Sequence, residues 1–242
     1  MTENLFRLEK VKGILFDYGG TIDSNGMHWA EVIWMAYQYC QIPVTKDVFR
    51  QAYVHGERTL GRNPIIQPYH NFRDMLKLKS QIQFEWLIEH KYIPSTSTEE
   101  PGQIAEWCYR YAQNAINNAR PVLEALAIRY PLVLVSNFYG NIEAVLKDFQ
   151  LDHLFNSIVE SAVVGIRKPD PEIFRLGVEQ LAVPAENSVV IGDSYDKDII
   201  PAQEIKSQTI WLKNTGWEDY KGTETADVVI SDFVELKNLF FG

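Results

Sequence analysis

The stretch from Gly13 to Asp23 places a carboxylate, Asp17, directly after a short apolar run, with Gly19 and Gly20 close behind. A continuous apolar run of this length, bounded by turn residues, predicts a strand that is buried on both faces, as in the centre of a parallel sheet. Ligands of such sheets bind beyond the carboxyl ends of the strands. Asp17 is therefore expected in a ligand-binding crevice, where the two glycines would let the backbone turn tightly and approach a bound group.

The second half of the chain alternates apolar strands with amphipathic helices from Pro121 onward, a pattern that predicts right-handed βαβ units and a parallel sheet. Strands are predicted at residues 132–136, 157–160, 188–191, 209–212 and 228–230, and helices at about 141–149, 171–181, 197–204 and 232–239. The first strand, at residues 12–16, must join this sheet across an insertion. The predicted fold class is α/β, with a Rossmann-like parallel core.

The insertion, residues 24–118, has helical periodicity and little strand character, which predicts an α-helical cap domain. Its helices are predicted at about 28–40, 46–55, 71–79, 83–89 and 103–118. The core domain would then comprise residues 1–23 and 119–242. The insertion is rich in aromatic residues, most of which are expected in the core of a small helical bundle, since they supply large buried areas.

The net charge of the 242 residues is −9, which argues against an extended surface for nucleic acid. No stretch approaches about 20 apolar residues, and the N-terminus lacks the apolar segment of a signal peptide. We therefore expect a soluble cytoplasmic protein with neither a nucleic-acid nor a membrane partner. Nothing in the sequence specifies an oligomeric state.

Three later segments carry polar residues that accompany the first motif. They are Ser136-Asn137, Lys168-Pro169 and Asp193-Ser194, the last followed by Asp198. In this order, and together with residues 17–21, they resemble the four motifs of the haloacid dehalogenase (HAD) superfamily. Phosphatases of that superfamily usually have Asp-x-Asp-Gly-Thr as the first motif. The resemblance covers most of residues 12–216 and implies a HAD-like hydrolase with a C1-type helical cap.

The resemblance assigns catalytic roles to Asp17, Ser136 and Lys168. Asp17 would be the nucleophile, because an ionised carboxylate can attack phosphorus and form an aspartyl-phosphate. Ser136 would bind a phosphoryl oxygen, and Lys168 would offset the negative charge that the carboxylates share with the phosphoryl group. Asp198 is expected to orient Asp193 or Lys168, or to approach a bound metal ion.

A metal site is expected where Asp17 and Asp193 meet at the edge of the sheet. Two carboxylates and phosphate oxygens form a set of hard oxygen ligands that suits Mg²⁺. The resemblance implies a third ligand, the backbone carbonyl of Gly19, which glycine retains.

Gly19 stands where the phosphatases of the family have a second aspartate, whose side chain protonates the leaving group and later activates water. Such general acid–base assistance is worth about 10²- to 10⁴-fold in rate. The glycine therefore predicts slow turnover of alkyl phosphates unless another group substitutes, and better turnover of acyl phosphates, whose leaving group needs less protonation.

Substrate contacts are expected from Gly20, Thr21 and Asn137 in the core, and from a polar cap loop around residues 55–62 that could close over an anionic substrate. The cap candidates are His55, Arg58 and Arg62. Candidates for the missing acid lie in the cap and beside the first motif, and include His28, His55, His70, Asp23 and Glu57.

The resulting hypothesis is a Mg²⁺-dependent phosphatase or phosphotransferase that acts on a small phosphorylated metabolite. A second hypothesis is cleavage of a carbon–halogen or carbon–phosphorus bond by the same nucleophile. Family branches with those activities also lack the second aspartate, although they usually have tyrosine or alanine in place of Gly19. A third is a catalytically weak homologue that binds a phosphorylated ligand or a protein partner.

Overall fold

The structure is a computed structural model that describes residues 6–95, 98–217, 222–223 and 225–242. These residues form a sheet of six parallel strands in the order β3-β2-β1-β4-β5-β6. In chain order the strands are β1 (Gly13–Phe16), β2 (Leu132–Ser136), β3 (Ser157–Glu160), β4 (Ser188–Gly192), β5 (Gln208–Leu212) and β6 (Val228–Ile230). The predicted α/β class with a Rossmann-like parallel core is confirmed.

The register of the sheet brings the polar motifs to one edge. Phe16, the last residue of β1, lies opposite Leu134 of β2 and Ile191 of β4. Asp17 follows Phe16 and donates its backbone N–H to the carbonyl oxygen of Ile191 over 3.0 Å. Because parallel strands end at a common edge, Asp17 comes to lie beside the residues that end β2 and follow β4.

Helices cover the sheet and build the insertion. The insertion contains α1 (Trp29–Tyr39), α2 (Lys46–Arg62), α3 (Phe72–Glu89) and α4 (Glu100–Arg129). The later helices are α5 (Ile142–Asp148), α6 (Ser161–Val164), α7 (Glu172–Leu181), α8 (Ile200–Glu204) and α9 (Glu235–Phe241), and a single π-helical turn at Tyr195–Ile199 precedes α8. None of the helices within the described ranges is long and apolar enough to cross a membrane.

The predicted break between helices at residues 71–79 and 83–89 is wrong, because α3 runs through it. The intervening residues 80–82 contain neither glycine nor proline, which would interrupt a helix. A capping box between Asn71 and Asp74 stabilises the N-terminus of α3. Helix α2 likewise continues beyond its predicted end. The cap loop predicted around residues 55–62 is therefore wrong, because these residues are helical. Gly56 lies on a buried face of the helix, where a Cβ would come within 3.2 Å of the Gln83 side chain.

Helix α4 joins the cap to the core. It is 30 residues long and continues through the predicted domain boundary at residues 118–119. Buried side chains extend along it from Ile104 to Leu126, and its last turns pack against α9. The division into two domains at these boundaries stays a prediction. The transition from the cap to the core falls inside a continuous helix.

The two faces of the sheet belong to different apolar clusters. Leu15 of β1 faces α7, where it packs with Phe174. Ile14 and Phe16 face the opposite way, into a larger cluster that continues into the cap helices. Successive strand residues point to opposite faces, so the unbroken apolar run of β1 reflects burial on both sides.

We expect Ile14→Ala to lower the free energy of unfolding by about 2–5 kcal/mol, because it leaves a cavity at a fully buried position of the central strand. Ile128→Ala is the matched control. Ile128 is 85% exposed on α4, and its replacement should change stability by less than about 0.5 kcal/mol. Chemical denaturation of the two variants checks this, and similar losses in both would contradict the central position of β1.

Candidate active site

Asp17 is held at the end of β1 by two side chains. Its Oδ1 accepts a hydrogen bond from Nζ of Lys168 over 2.6 Å, and its Oδ2 accepts one from the hydroxyl of Thr21 over 2.9 Å. Gly20 has a φ of +100°, and a Cβ there would come within 2.5 Å of the Asp193 carboxylate. Only glycine fits this turn, and it lets the loop after β1 close against the loop after β4.

Asp193 faces Asp17 from the neighbouring strand. Its backbone N–H donates to the Thr21 hydroxyl oxygen over 3.1 Å, and the same hydroxyl lies 3.2 Å from its Oδ1. Thr21 thus bridges the two carboxylates. The indole N–H of Trp211 donates to the carbonyl oxygen of Asp193 over 2.8 Å and fixes the backbone at this point.

Lys168 pairs with a second carboxylate on its other side. Its Nζ lies 2.7 Å from Oδ1 of Asp198, whose Oδ2 accepts the backbone N–H of Ser194. Burial lowers the pKa of the Lys168 ammonium, but the carboxylates of Asp17 and Asp198 more than offset this, so the pKa is raised. Lys168 is therefore a buried permanent cation shared by two carboxylates.

Carboxylate oxygens of Asp17, Asp193 and Asp198 lie within 4.8 Å of one another. When all three carboxylates are ionised, Lys168 balances one of them and two negative charges remain in the buried site. Burial and the carboxylates of Asp17 and Asp198 raise the pKa of Asp193 well above its ordinary value, and burial raises that of Asp198 to about 6. The charge and the hard oxygen donors fit a divalent cation. Both oxygens of Asp198 are bound, one by the Lys168 ammonium and one by the backbone N–H of Ser194. The second oxygen of Asp17 is bound only by the Thr21 hydroxyl, which can rotate, so Asp17 and Asp193 are the carboxylates that would hold the cation.

A cavity of about 130 Å³ opens between the core and the cap beside this cluster. Its core-side wall includes Gly19, Gly20, Asp23, Asn137, Phe138, Tyr139 and Asp193, and its cap-side wall includes His28, Trp29, Tyr53, Glu57, Phe72, Met75, Leu76 and Lys79. The cavity is small and has polar groups on both walls.

The polar groups opposite Asp193 form a connected set. Nζ of Lys79 lies 2.7 Å from Oε1 of Glu57, and the hydroxyl of Tyr139 donates to Oε2 of Glu57 over 2.8 Å. Burial lowers the pKa of Lys79, but Glu57 and the tyrosines outweigh it, so the pKa lies well above the ordinary value. Lys79 was not among the predicted site residues. The signal was available, because Lys79 continues the apolar face of α3 that contains Phe72, Met75 and Leu76.

The structure places His55, Arg58 and Arg62 around a different pocket, on the outer surface of α2 next to Trp86. Residues 55, 58 and 62 form one stripe of the helix, while Glu57 lies on the opposite face and reaches the cavity. The described structure does not bring these three residues to the carboxylate cluster. Their role as substrate contacts stays a prediction.

The other core candidates lie close to Asp17 in the fold. Ser136 ends β2 and is buried. The side-chain amide of Asn137 donates to the carbonyl oxygen of Lys168 over 3.0 Å and accepts its backbone N–H over 2.9 Å. Asn137 therefore anchors the loop that carries Lys168, and it also lines the cavity.

The fold and the site together define a parallel α/β protein with a helical cap and a lysine-paired acidic centre at the strand ends. A sequence model of haloacid dehalogenase-like hydrolases matches residues 11–206. The chain belongs to that family.

Curated relatives share parts of the chain. Glyceraldehyde 3-phosphate phosphatase of Methanocaldococcus jannaschii is 32% identical over 85 residues, which are 35% of this chain and 37% of that enzyme. Phosphoserine phosphatase of Thermus thermophilus is 34% identical over 86 residues, which are 36% of this chain and 34% of that enzyme. The chain thus spans little more than a third of the length of either relative.

Solved structures share the fold over nearly the whole chain. The magnesium-bound HAD-hydrolase YfnB of Bacillus subtilis matches with a TM-score of 0.59 and 21% identity, covering 96% of this chain and 99% of that one. A dehalogenase solved with an intermediate matches with a TM-score of 0.61 and 14% identity, covering 95% and 97%. At these identities the likeness is one of fold.

Asp193→Asn is expected to stabilise the metal-free protein at about pH 8 and to reduce its stabilisation by Mg²⁺. The folded pKa of Asp193 is raised above 3.8, so the stability linked to this group is present at low pH and is lost as the pH rises through that pKa. A cation that binds only the folded protein adds about 2.7 kcal/mol at 100 times its Kd. Unfolding with EDTA and with Mg²⁺ measures both effects. Unchanged metal-free stability together with an unchanged Mg²⁺ effect would contradict the assignment.

Proposed function

We propose that the protein is a Mg²⁺-dependent phosphatase or phosphotransferase that acts on a small phosphorylated metabolite through an aspartyl-phosphate on Asp17. The observation that carries the proposal is the fixed carboxylate of Asp17 at the end of the central strand, bound by Lys168 and Thr21. Membership of the hydrolase family supports it, as do the phosphatase names of the two curated relatives.

Asp17 is prepared for attack by its surroundings. Because Lys168 and Thr21 each bind one of its oxygens, the carboxylate keeps a single orientation, and little entropy is lost when a substrate binds beside it. In the first step an oxygen of Asp17 forms a bond to phosphorus and the bond to the leaving oxygen breaks. Water then attacks phosphorus, releases phosphate and regenerates the carboxylate.

Lys168 and Ser136 are the groups proposed to stabilise the transferred phosphoryl group. The Lys168 ammonium is buried and fixed, so its charge acts at low dielectric without reorganisation. A divalent cation bound by Asp17, Asp193 and the carbonyl of Gly19 would supply positive charge against the phosphoryl oxygens. These residues fit such an ion because the acidic cluster otherwise keeps an excess of negative charge.

The part of the substrate that carries the phosphoryl group is proposed to contact Glu57, Lys79 and Tyr139. The paired charges of Glu57 and Lys79 offer both an acceptor and a donor, which suits hydroxyl or carbonyl groups of a substrate better than a purely apolar chain. The cavity of about 130 Å³ admits only a few such groups. These two features favour a short polar metabolite.

Cleavage of a carbon–halogen bond is the competing function, because a departing halide needs no proton and Gly19 supplies none. The charge of the site argues for phosphoryl transfer. Three carboxylates with one lysine would repel the carboxylate of a 2-haloacid unless a cation were bound, and halide displacement requires no cation. Chloride release from 2-haloacids that is lost in Asp17→Asn would support this function instead.

Asp17→Asn is expected to lower phosphate release from acetyl phosphate and from alkyl phosphates by about a thousandfold or more, since it removes the nucleophile. Asp152→Asn is a matched control, because Asp152 is exposed and lies outside the site. Phosphate release with Mg²⁺ is compared for the native protein and both variants. Native-like release by Asp17→Asn would contradict the proposed nucleophile.

Lys79→Gln is expected to raise KM for the best phosphorylated substrate by about tenfold or more, because hydrogen bonds to charged groups are worth about 1.5–3 kcal/mol. Lys77→Gln is the control on the same helix, since Lys77 is exposed. Steady-state kinetics of the two variants measure the difference. Equal KM values would show that the cap side of the cavity does not contact the substrate.

A further inference from the structure

Asp23 lies in the loop between β1 and α1 and is fully buried. Its Oδ1 accepts two hydrogen bonds, one from the backbone N–H of Gly20 over 2.8 Å and one from the indole N–H of Trp29 over 2.9 Å. Within the described part of the chain, its Oδ2 has no hydrogen-bond partner. One oxygen is therefore fixed, while the other is free to carry or accept a proton.

Asp23 forms part of the cavity wall beside Gly19, Gly20 and Asp193. A buried polar atom without a partner costs about 1–3 kcal/mol, and such atoms in native proteins call for an explanation. The contacts of its Oδ1 hold the side chain in place without satisfying Oδ2. The free oxygen thus belongs to a fixed carboxyl group at the wall of the cavity that the substrate is proposed to enter.

We propose that Asp23 is the catalytic acid and base of the reaction, in place of the side chain that Gly19 lacks. This inference rests on the proposed phosphatase function. As the bond from phosphorus to the leaving oxygen breaks, the carboxyl of Asp23 gives its proton to that oxygen, and the product leaves as an alcohol. The Asp23 carboxylate then takes a proton from the water that attacks the aspartyl-phosphate, which restores the carboxyl group and releases phosphate.

The space beside Gly19 agrees with this arrangement. No atom of the described chain, apart from the adjoining residues, lies within 4 Å of the position that a Cβ would take at Gly19, and its backbone is outside the left-handed region. An aspartate would fit there. The space that an aspartate side chain at position 19 would occupy is thus left open by the neighbouring side chains.

Asp193 is assigned to the cation, and the remaining acidic and imidazole groups of the cavity, Glu57 and His28, are less suited to donate a proton. Oε2 of Glu57 accepts the hydroxyl of Tyr139, and although burial raises the pKa of Glu57, the ion pair with Lys79 brings it below the ordinary value. Burial, followed by the charge of Lys197, lowers the pKa of His28 to about 4, and Nδ1 of that ring accepts the backbone N–H of Ala30 over 3.1 Å.

The electrostatics of Asp23 differ from those of Glu57 and His28. Burial raises the pKa of Asp23 to about 7, against the hydrogen bonds from Gly20 and Trp29, and the carboxylate of Asp17 adds to the rise. A general acid that must also act as a base works best with a pKa near the operating pH. This supports the assignment that the geometry makes.

The test compares acetyl phosphate, whose leaving group needs little protonation, with glycerol 3-phosphate, whose alkoxide needs a proton. Asp23→Asn keeps the Oδ1 acceptor. By rapid quenching, it should lower the rate of aspartyl-phosphate formation by about 100-fold or more with glycerol 3-phosphate, and by less than about tenfold with acetyl phosphate. Asp152→Asn should change neither rate. Equal losses in this first step with both substrates would overturn the proposal, because a merely structural role does not depend on the leaving group.

Gly19→Asp provides a second test in two backgrounds, and its result in the otherwise native protein does not depend on the folding of Asp23→Asn. In the Asp23→Asn background it should restore turnover of glycerol 3-phosphate. In the otherwise native protein it should raise that turnover by less than about tenfold, since an acid is already present. A gain of about 100-fold or more in the native background would overturn the role of Asp23.

Asp17→Asn separates this inference from the proposed function. Phosphate release that depends on Asp17, with equal effects of Asp23→Asn on both substrates, would overturn the role of Asp23 and leave the phosphatase assignment intact. Absence of Asp17-dependent release from both substrates would overturn the two together.

Discussion

The buried ammonium of Lys168, bound between Asp17 and Asp198, is the interaction on which the site depends. It joins the end of β1, the π-helical turn after β4 and the loop before α7, and Asn137 ties that loop to the end of β2. Removing such charges from water is costly, and a buried ion pair is weak evidence of net stabilisation. What the pairing supplies is position, because it brings carboxylates from separate segments within hydrogen-bond reach of one cation.

The same cluster explains why the site is poised for a cation and a phosphoryl group. One lysine does not balance three carboxylates, and the raised pKa values of Asp193 and Asp198 reflect that imbalance and their burial. An arrangement that served stability alone would pair each charge. The uncompensated charge makes chemical sense if a divalent cation and the electrophilic phosphorus of a substrate complete the set.

Much of the core could be predicted from the sequence, because Asp17, Ser136 and Asp193 each follow a short apolar run. Parallel strands end at a common edge, so Asp17, Ser136 and Asp193 had to lie near one another once the strands were recognised. The cap was harder to predict. Which face of α2 meets the core depends on how the helices pack, and periodicity alone did not separate the face of Glu57 from that of His55 and Arg58. Because α4 is one continuous helix, its sequence pattern does not mark where the cap ends and the core begins.

The central claim is a covalent phosphoryl intermediate on Asp17. The most direct measurement is acid quenching of the protein during turnover of acetyl phosphate with Mg²⁺, borohydride reduction of the acyl phosphate, and peptide mapping by mass spectrometry. We expect a reduced residue at position 17 of the native protein and none in Asp17→Asn. Phosphate release without any modification at position 17, or with the phosphoryl group on another residue, would contradict it.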